Sequence, residues 1–313
     1  MTNLITDVLV QGLAYGILAI GVTLTYKILD FADLTVDGSF PLGAVIAAVC
    51  LINQIPVAAA MALAFMGGAC AGAITGIIHV KLKITGLLSG ILVMTGLYSI
   101  NLMVGGNKSN IPVFNQKTIF TMGNWIDLIP LSIQPMFTRF YPILVVLIIV
   151  MVLKWIIDWF LTTQLGYLIR ITGDNPQLVI ALGEDIGKTK IIALSLSNGI
   201  AALAGSVIMQ LYRFYDISMG SGTVVSGLAA VVLGLTVFSW MKSMKITSIV
   251  ILGSILYRLS IAIALALKLP PSNLKLMSAL IFIGAIMINN GDLKGWLNKR
   301  IGEVKYVITQ KHL

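Results

Sequence analysis

Three carboxylates, Asp30, Asp33 and Asp37, stand close together between two long apolar runs, in Leu29-Asp-Phe-Ala-Asp-Leu-Thr-Val-Asp-Gly-Ser-Phe40. Charge beside hydrocarbon is costly and is usually kept for function. Such groups can line a path for a polar solute, hold a cation, or cap a helix. Asp33, Thr35, Asp37 and Ser39 are the candidate path-lining residues. A reading of equal weight has Asp37 or Ser39 capping the next helix, with Asp30 and Asp33 in interfacial water. A coupling-ion site is the weaker reading, because a loop at the interface is poorly isolated from water. Asn198 lies deep in a later apolar run with Ser195 and Ser197, and Gln210 and Arg213 stand near its end. Polar groups at such depth commonly hold helices together; Asn198 is also a candidate contact for solute. Arg258, after Tyr257 in another run, needs a partner or a route to the interface. Asp158 falls between Trp155 and Trp159, in a stretch suited to anchoring at the interface.

A second motif invites nucleotide chemistry. Gly183-Glu-Asp-Ile-Gly187-Lys-Thr189 looks like a phosphate-binding loop, but that loop needs four residues between its glycines and this stretch has three. No strand precedes it and no acidic metal-binding strand follows. The same residues fit the end of a short helix. Asp174 or Asn175 can cap its start, Pro176 suits the first helical position, and Gly183 can close its end in a left-handed conformation. The predicted helix carries Gln177 and presents Leu178, Val179 and Leu182, with Ile186 beyond, to no core of its own. It reads as a docking element set in water. No catalytic set accompanies it. His79 and His312 are far apart, Cys50 and Cys70 sit inside apolar runs, and neither a metal site nor a disulfide is expected.

The elements that must position these residues are membrane helices. Of 313 residues, 58% are hydrophobic and 11% charged, and mean hydropathy is +0.98. A soluble domain carries roughly a quarter charged residues. The expected fold is all-α, a polytopic bundle of about nine spans, some broken or re-entrant. The apolar segments run near 8–28, 38–54, 56–80, 85–106, 140–161, 189–212, 222–240, 246–267 and 272–290. The first reads as a permanent span, since no basic stretch or small-residue cleavage site marks it as a signal peptide. The second and seventh are short and contain glycine. Gly68, Gly72 and Gly76, four apart, form a stripe for close helix packing.

The net charge of +9 arises from lysines and arginines flanking the spans, so it sets topology and does not signal nucleic acid. With the loop at about 164–188 on the cytoplasmic side, most basic residues fall on that side. They include Lys27, Lys81, Lys83, Arg170, Lys188, Lys190, Lys242, Lys245 and the basic tail 291–313. The longest outer segment, 107–139, contains Trp125 and Pro130, and reads as an ordered loop with a short surface helix. The chain is expected to be one transmembrane domain over 1–313.

Two stretches taken together carry a resemblance. One is Gly12-Leu-Ala-Tyr-Gly16 running into Asp30-Phe-Ala-Asp-Leu-Thr-Val-Asp-Gly-Ser39. The other is Gly173-Asp-Asn-Pro-Gln177 running to Gly183-Glu-Asp-Ile-Gly187 and then Ser197-Asn-Gly199. Both resemble the permease subunits of bacterial ABC importers of the branched-chain amino-acid type, within a subgroup linked to amino-acid, including tryptophan, uptake. The resemblance implies a non-catalytic homodimeric permease in the bacterial inner membrane with a cytoplasmic C-terminus. It implies cytoplasmic ATPase subunits that bind the ATP and Mg, an extracytoplasmic solute-binding protein, and no cofactor on this chain. It makes 173–187 the ATPase-coupling element, with Asp174, Asn175, Pro176, Gln177, Leu178, Leu182, Gly183 and Ile186 as its residues. The alternative is an ion-coupled secondary transporter built on Asp33 or Asp37; a third reading is a non-transporting scaffold.

Overall fold

The computed structural model describes residues 2–121, 134–238, 240–241, 244–267 and 274–289. In chain order they form α1 (Thr2–Val22), a π-helical turn (Thr23–Ile28), α2 (Val36–Ile52), α3 (Val57–Lys81), α4 (Gly86–Val104) and β1 (Asn110–Pro112). Then come α5 (Gln134–Phe160), α6 (Gln164–Asp174), α7 (Pro176–Ala181), α8 (Ile186–Tyr212) and β2 (Phe214–Asp216). A 3₁₀ turn (Ile217–Gly220), α9 (Thr223–Val237), α10 (Ile246–Ala266) and α11 (Leu274–Asn289) complete the order.

The axis of the bundle is α8. It has 27 residues, a length of about 40 Å, and is buried along most of its C-terminal half. Helices α3, α2 and α1 pack along it. Small residues permit the approach. A Cβ added at Gly68 would collide with the Asn198 carbonyl, and one at Gly72 with the Leu194 carbonyl. At Gly76 it would come within 2.8 Å of the Ile191 Cα. Helix α2 lies equally close, with Gly43 against the Ala202 carbonyl and Gly205 against that of Phe40. In hydrocarbon, helices associate through such close packing because burial of apolar surface no longer drives them together. On the other side α1 meets α10: Gly12 faces the Ile255 backbone, and Ser254 Oγ donates to the Gly12 carbonyl at 2.7 Å. Arg258 finds its partner here, with its guanidinium carbon 3.4 Å from the centroid of the Tyr15 ring.

Among the described residues, seven helical segments are long and apolar enough to cross a membrane. They are Ile5–Ile28, Val57–Lys81, Gly86–Val104, Phe137–Phe160, Ile186–Tyr212, Ile217–Val237 and Ile246–Ala266. The sequence pattern suggests about nine, and the two apolar helices left over, α2 and α11, have 17 and 16 residues. Helix α2 falls short of the roughly 20 residues a full crossing needs, and the residues flanking α11 lie outside the described ones. For α2 the reason is a chain break. The π-helical turn ends α1, residues 29–35 double back without helix, and Asp30 turns the chain at φ 54°. Helix α2 therefore begins beside Asn198, about 18 Å along α8 from its start. Helix α9 also begins inside the bundle, after Arg213 ends α8 at φ 60° and the chain passes through β2 and the 3₁₀ turn.

Strand β2 pairs antiparallel with β1, Ile111 opposite Tyr215, and so ties the segment after α4 to the segment after α8. This ribbon is not legible in the sequence, because three residues per strand are too few to show alternation. Helix α5 starts at Gln134, earlier than the apolar pattern implies. Residues 122–133, with Trp125 and Pro130, lie outside the described residues, as do Lys242 and the tail 291–313.

The glycine contacts yield a paired test. Gly72→Ala forces a methyl group into the Leu194 carbonyl and is expected to cost about 1–3 kcal/mol. Gly96→Ala, whose new Cβ meets nothing within 4 Å, is expected to leave stability equal or higher through helix propensity. Thermal unfolding midpoints of the two purified variants check this; equal midpoints would refute the packing argument.

Candidate functional site

The break between α1 and α2 places polar backbone and a carboxylate inside the bundle, and one cluster satisfies both. Asp33 Oδ1 accepts from the Thr35 backbone N at 2.8 Å. Its Oδ2 accepts from Asn198 Nδ2 at 2.6 Å. The Asn198 carbonyl oxygen accepts from Ser39 Oγ at 2.7 Å, and Nδ2 also donates to the Leu194 carbonyl. Thr35 Oγ1 pairs with Thr75 Oγ1 at 2.8 Å, and Thr75 reaches the Ala71 carbonyl of α3. Asp33, Thr35, Ser39, Thr75 and Asn198 are all buried. The cluster thus knots the break, α2, α3 and α8 at one depth. Thr75 was not singled out in the sequence, although it sits between Gly72 and Gly76 on the face that touches α8.

Asp37 has a different place. Its Oδ1 accepts from Thr223 Oγ1 and from the Val224 backbone N, both at 2.8 Å, and its Oδ2 accepts from the Gly222 N at 3.1 Å. It caps α9, a helix distant in sequence. Thr35, not Asp37 or Ser39, precedes α2 as its first flanking residue, and it makes no side-chain cap there. A carboxylate at a helix N-terminus satisfies orphan N–H groups and meets the positive end of the helix dipole. Asp37 also borders a cavity of about 510 Å³ walled by α2, α4 and the 3₁₀ turn, with Pro41, Met94, Tyr98, Asn101 and Ile217 among its lining residues. The five candidate path residues therefore divide. Asp37 borders open space, while Asp33, Thr35, Ser39 and Asn198 lie in the closed knot beside it.

At the far end of the bundle, α6 and α7 form a hairpin. Thr163 caps α6, accepting from Gly166 N, and the sequence pattern missed this helix because its apolar face is short. Asn175 caps α7, its Oδ1 accepting from Leu178 N at 3.3 Å, with Pro176 in the first position. Gly183, at φ 76°, follows the last turn. Its N–H bonds the Ile180 carbonyl, and the Glu184 N–H bonds the Val179 carbonyl. That pair is a Schellman closure. The apolar face differs from the one predicted. Val179 is 0% exposed, turned inward, while Ile180 is 66% and Leu182 59% exposed, with Leu178 beside them. Leu178 and Leu182, four residues apart, share one exposed face, whereas Val179 is turned to the buried side and Ile180 is exposed on another. Asp174 and Gln177 are exposed, and Ile186, half-buried, opens α8.

The Gly187-Lys188-Thr189 run is the first turn of α8. The Asp185 carboxylate accepts from Gly187 N at 2.8 Å and from Lys188 N at 3.3 Å. A carboxylate therefore fills the place a phosphate would take. Near the hairpin, Asp158 accepts from Lys154 at 2.7 Å and from Thr247 Oγ1 at 2.6 Å, with Lys245 at 3.5 Å. It joins the end of α5 to the start of α10. At Gly173, the end of α6 touches the carbonyl of Ile28, the last residue of the π-helical turn.

These features define a multi-pass membrane protein whose broken helices meet at a buried polar knot. The family model described as "Branched-chain amino acid transport system / permease component" matches residues 4–288, and the chain belongs to that family. It is 41% identical to the tyrosine transport system permease protein of Clostridioides difficile (strain R20291), over 98% of each chain. It is 32% identical to protein RP368 of Rickettsia prowazekii (strain Madrid E), over 93% of this chain and 100% of that one. The autoinducer 2 import system permease protein LsrC of Photorhabdus laumondii subsp. laumondii is 28% identical, over 93% of this chain and 82% of that one.

The knot predicts a coupled loss. Asn198→Leu strands the Asp33 carboxylate and Ser39 and is expected to cost about 3 kcal/mol. The exchange Asp33→Asn with Asn198→Asp restores a donor and acceptor across the same gap, and is expected to recover more than half of that. Unfolding midpoints of the two variants and wild type measure it; an exchange as unstable as Asn198→Leu would count against pairing as the knot's role.

Proposed function

We propose that this chain is the membrane-spanning permease subunit of an ATP-driven importer of a small solute, an amino acid, working as a homodimer. Cytoplasmic ATPase subunits hold the ATP and Mg and carry out hydrolysis. An extracytoplasmic solute-binding protein delivers the solute, and the permease itself catalyses nothing. The observation that carries this reading is the α6–α7 hairpin. Its second helix is capped at both ends and presents Leu178 and Leu182 together on one exposed face, with Ile180 exposed on another. A rigid apolar ridge of this kind suits a groove on another protein. Family membership supports a transport role, and the tyrosine permease relative favours an aromatic amino acid as solute.

The hairpin end is the cytoplasmic end in this reading. Lys81, Lys83, Arg170, Lys188 and Lys190 gather there, as the preference for basic residues inside requires. The basic residues of the tail 291–313 assign it to the same side, and α2 and α11 complete a set of nine membrane segments. The solute passes between two permeases on the Asp37 side of the knot. Movement of the ATPase pulls the hairpin, which bears on Ile28 through Gly173 and so reaches the break that holds Asp33. Residues Asp174 to Gly183, with Ile186, form the contact region. An ion-coupled mechanism finds less support, since Asp33 and Asp37 are each engaged by local donors of the bundle.

Co-purification and uptake test the coupling assignment. Leu182→Asp and Ile180→Asp are expected to reduce capture of the ATPase at least tenfold and to abolish ATP-driven tyrosine uptake in proteoliposomes. Membrane insertion should be unchanged, because both side chains are exposed. Unaltered capture and uptake would sink the docking role of this face.

A further inference from the structure

The cavity beside Asp37 has an unusual polar inventory. Asn101 is buried, 1% exposed, and lines it. Its Nδ2 donates to the Gly38 carbonyl at 3.1 Å, while its Oδ1 is buried and has no partner. The amide cannot be turned to cure this, because the oxygen would then face the Gly38 carbonyl. The free atom is an acceptor. Asp37 adds a second. A carboxylate offers about four acceptor positions. Oδ1 takes two donors and Oδ2 takes one, so one position on Oδ2 stays open.

No Lys, Arg or His lines the cavity. Its remaining wall mixes Pro41, Met94, Ile217 and the ring of Tyr98, which is 55% exposed, with hydroxyl residues, of which Thr95 donates to the Ile91 carbonyl and Ser218 to Asp216. An anion would meet two acceptors here and no basic partner. A cation with hydrogens to donate meets a carboxylate, an unpartnered carbonyl oxygen and an aromatic face.

We propose that this cavity is a recognition site for a primary ammonium group, held by Asn101 Oδ1 and Asp37 Oδ2, with an apolar or aromatic substituent lying against Met94 and Tyr98. The inference rests on the reading of this side of the knot as the solute path, and sharpens it: the permease inspects the amine of its solute, and the carboxylate is left to other groups. The cavity's size agrees, since small-molecule sites commonly enclose about 300–1,000 Å³.

The test separates this inference from the transport reading, because it measures binding without the solute-binding protein. The complete permease–ATPase complex in nanodiscs is titrated with phenethylamine, 3-phenylpropanol and 3-phenylpropionate, which share a ring and differ in the terminal group. Phenethylamine is expected to bind at least tenfold more tightly than the other two. Asn101→Leu is expected to remove that preference. Tyr98→Leu, at an exposed position that leaves folding intact, is expected to weaken phenethylamine several-fold. Equal binding of the three probes, or unchanged preference in Asn101→Leu and unchanged affinity in Tyr98→Leu, would overturn the proposal. So would loss of phenethylamine binding when sodium chloride replaces choline chloride, which would assign the acceptors to a metal cation. Failure of tyrosine uptake with the amine preference intact would instead count against the choice of solute.

Discussion

A chain that stops being helical inside a membrane bundle leaves backbone donors and acceptors where no water can reach them. That constraint governs this structure. Residues 29–35 form such a break, and the Asp33 carboxylate is the group that resolves it. One oxygen takes the Thr35 N–H and the other takes the Asn198 amide from the central helix. Among the described residues no cation lies within ion-pairing distance of Asp33. Its charge is spread over hydrogen bonds instead. The Asn198 bond requires α8 to stand against the break, and α3 in turn packs on α8 closely because it is stripped to glycine where it crosses Asn198 and Leu194.

The same solution recurs one turn along α2. Asp37 satisfies the first N–H groups of α9, another helix that begins inside the bundle. Two helices thus start at depth, each near a carboxylate, and both carboxylates belong to one short stretch. An N-terminus at depth carries a partial positive charge that hydrocarbon cannot screen, so an acidic residue there is stabilising. The consequence for shape is direct. Helices that begin partway leave space above or below their starting points, and the cavity bordered by Asp37, Asn101 and Tyr98 is such a space. Breaks, caps and cavity are therefore one feature seen from three sides.

Much of this was legible in the sequence. Runs of apolar residues locate each long helix, because hydrocarbon imposes length and composition on anything that crosses it. The caps of α7 follow from Asn175, Pro176 and Gly183, because local backbone chemistry decides them. The glycine stripe of α3 marks a close contact, although not with which helix. Long-range pairing stayed hidden. Asp37 looks like a cap for the helix it precedes in sequence, yet it serves a helix 186 positions away through Thr223. Asp33 and Asn198 were both noticed, but nothing in their spacing joins them. Val179 was assigned to the exposed face because α6, which covers it along with α8, carries too short a periodic signal to be read.

The arrangement also bears on where the energy for movement enters. Asp33 and Asp37 are held by donors from Asn198, Thr35, Thr223 and two backbone N–H groups of α9, so both carboxylates belong to the packing of α2, α8 and α9. In the coupling we propose, force enters elsewhere, at the surface. The α6–α7 hairpin is outside the knot, rigid through its own caps, and in backbone contact with the π-helical turn at Gly173 and Ile28. A π-turn has wider, weaker hydrogen bonding than an α-helix and commonly sits at functional sites. In that proposed coupling, displacement of the hairpin reaches the break through the contact of Gly173 with Ile28 and through this turn.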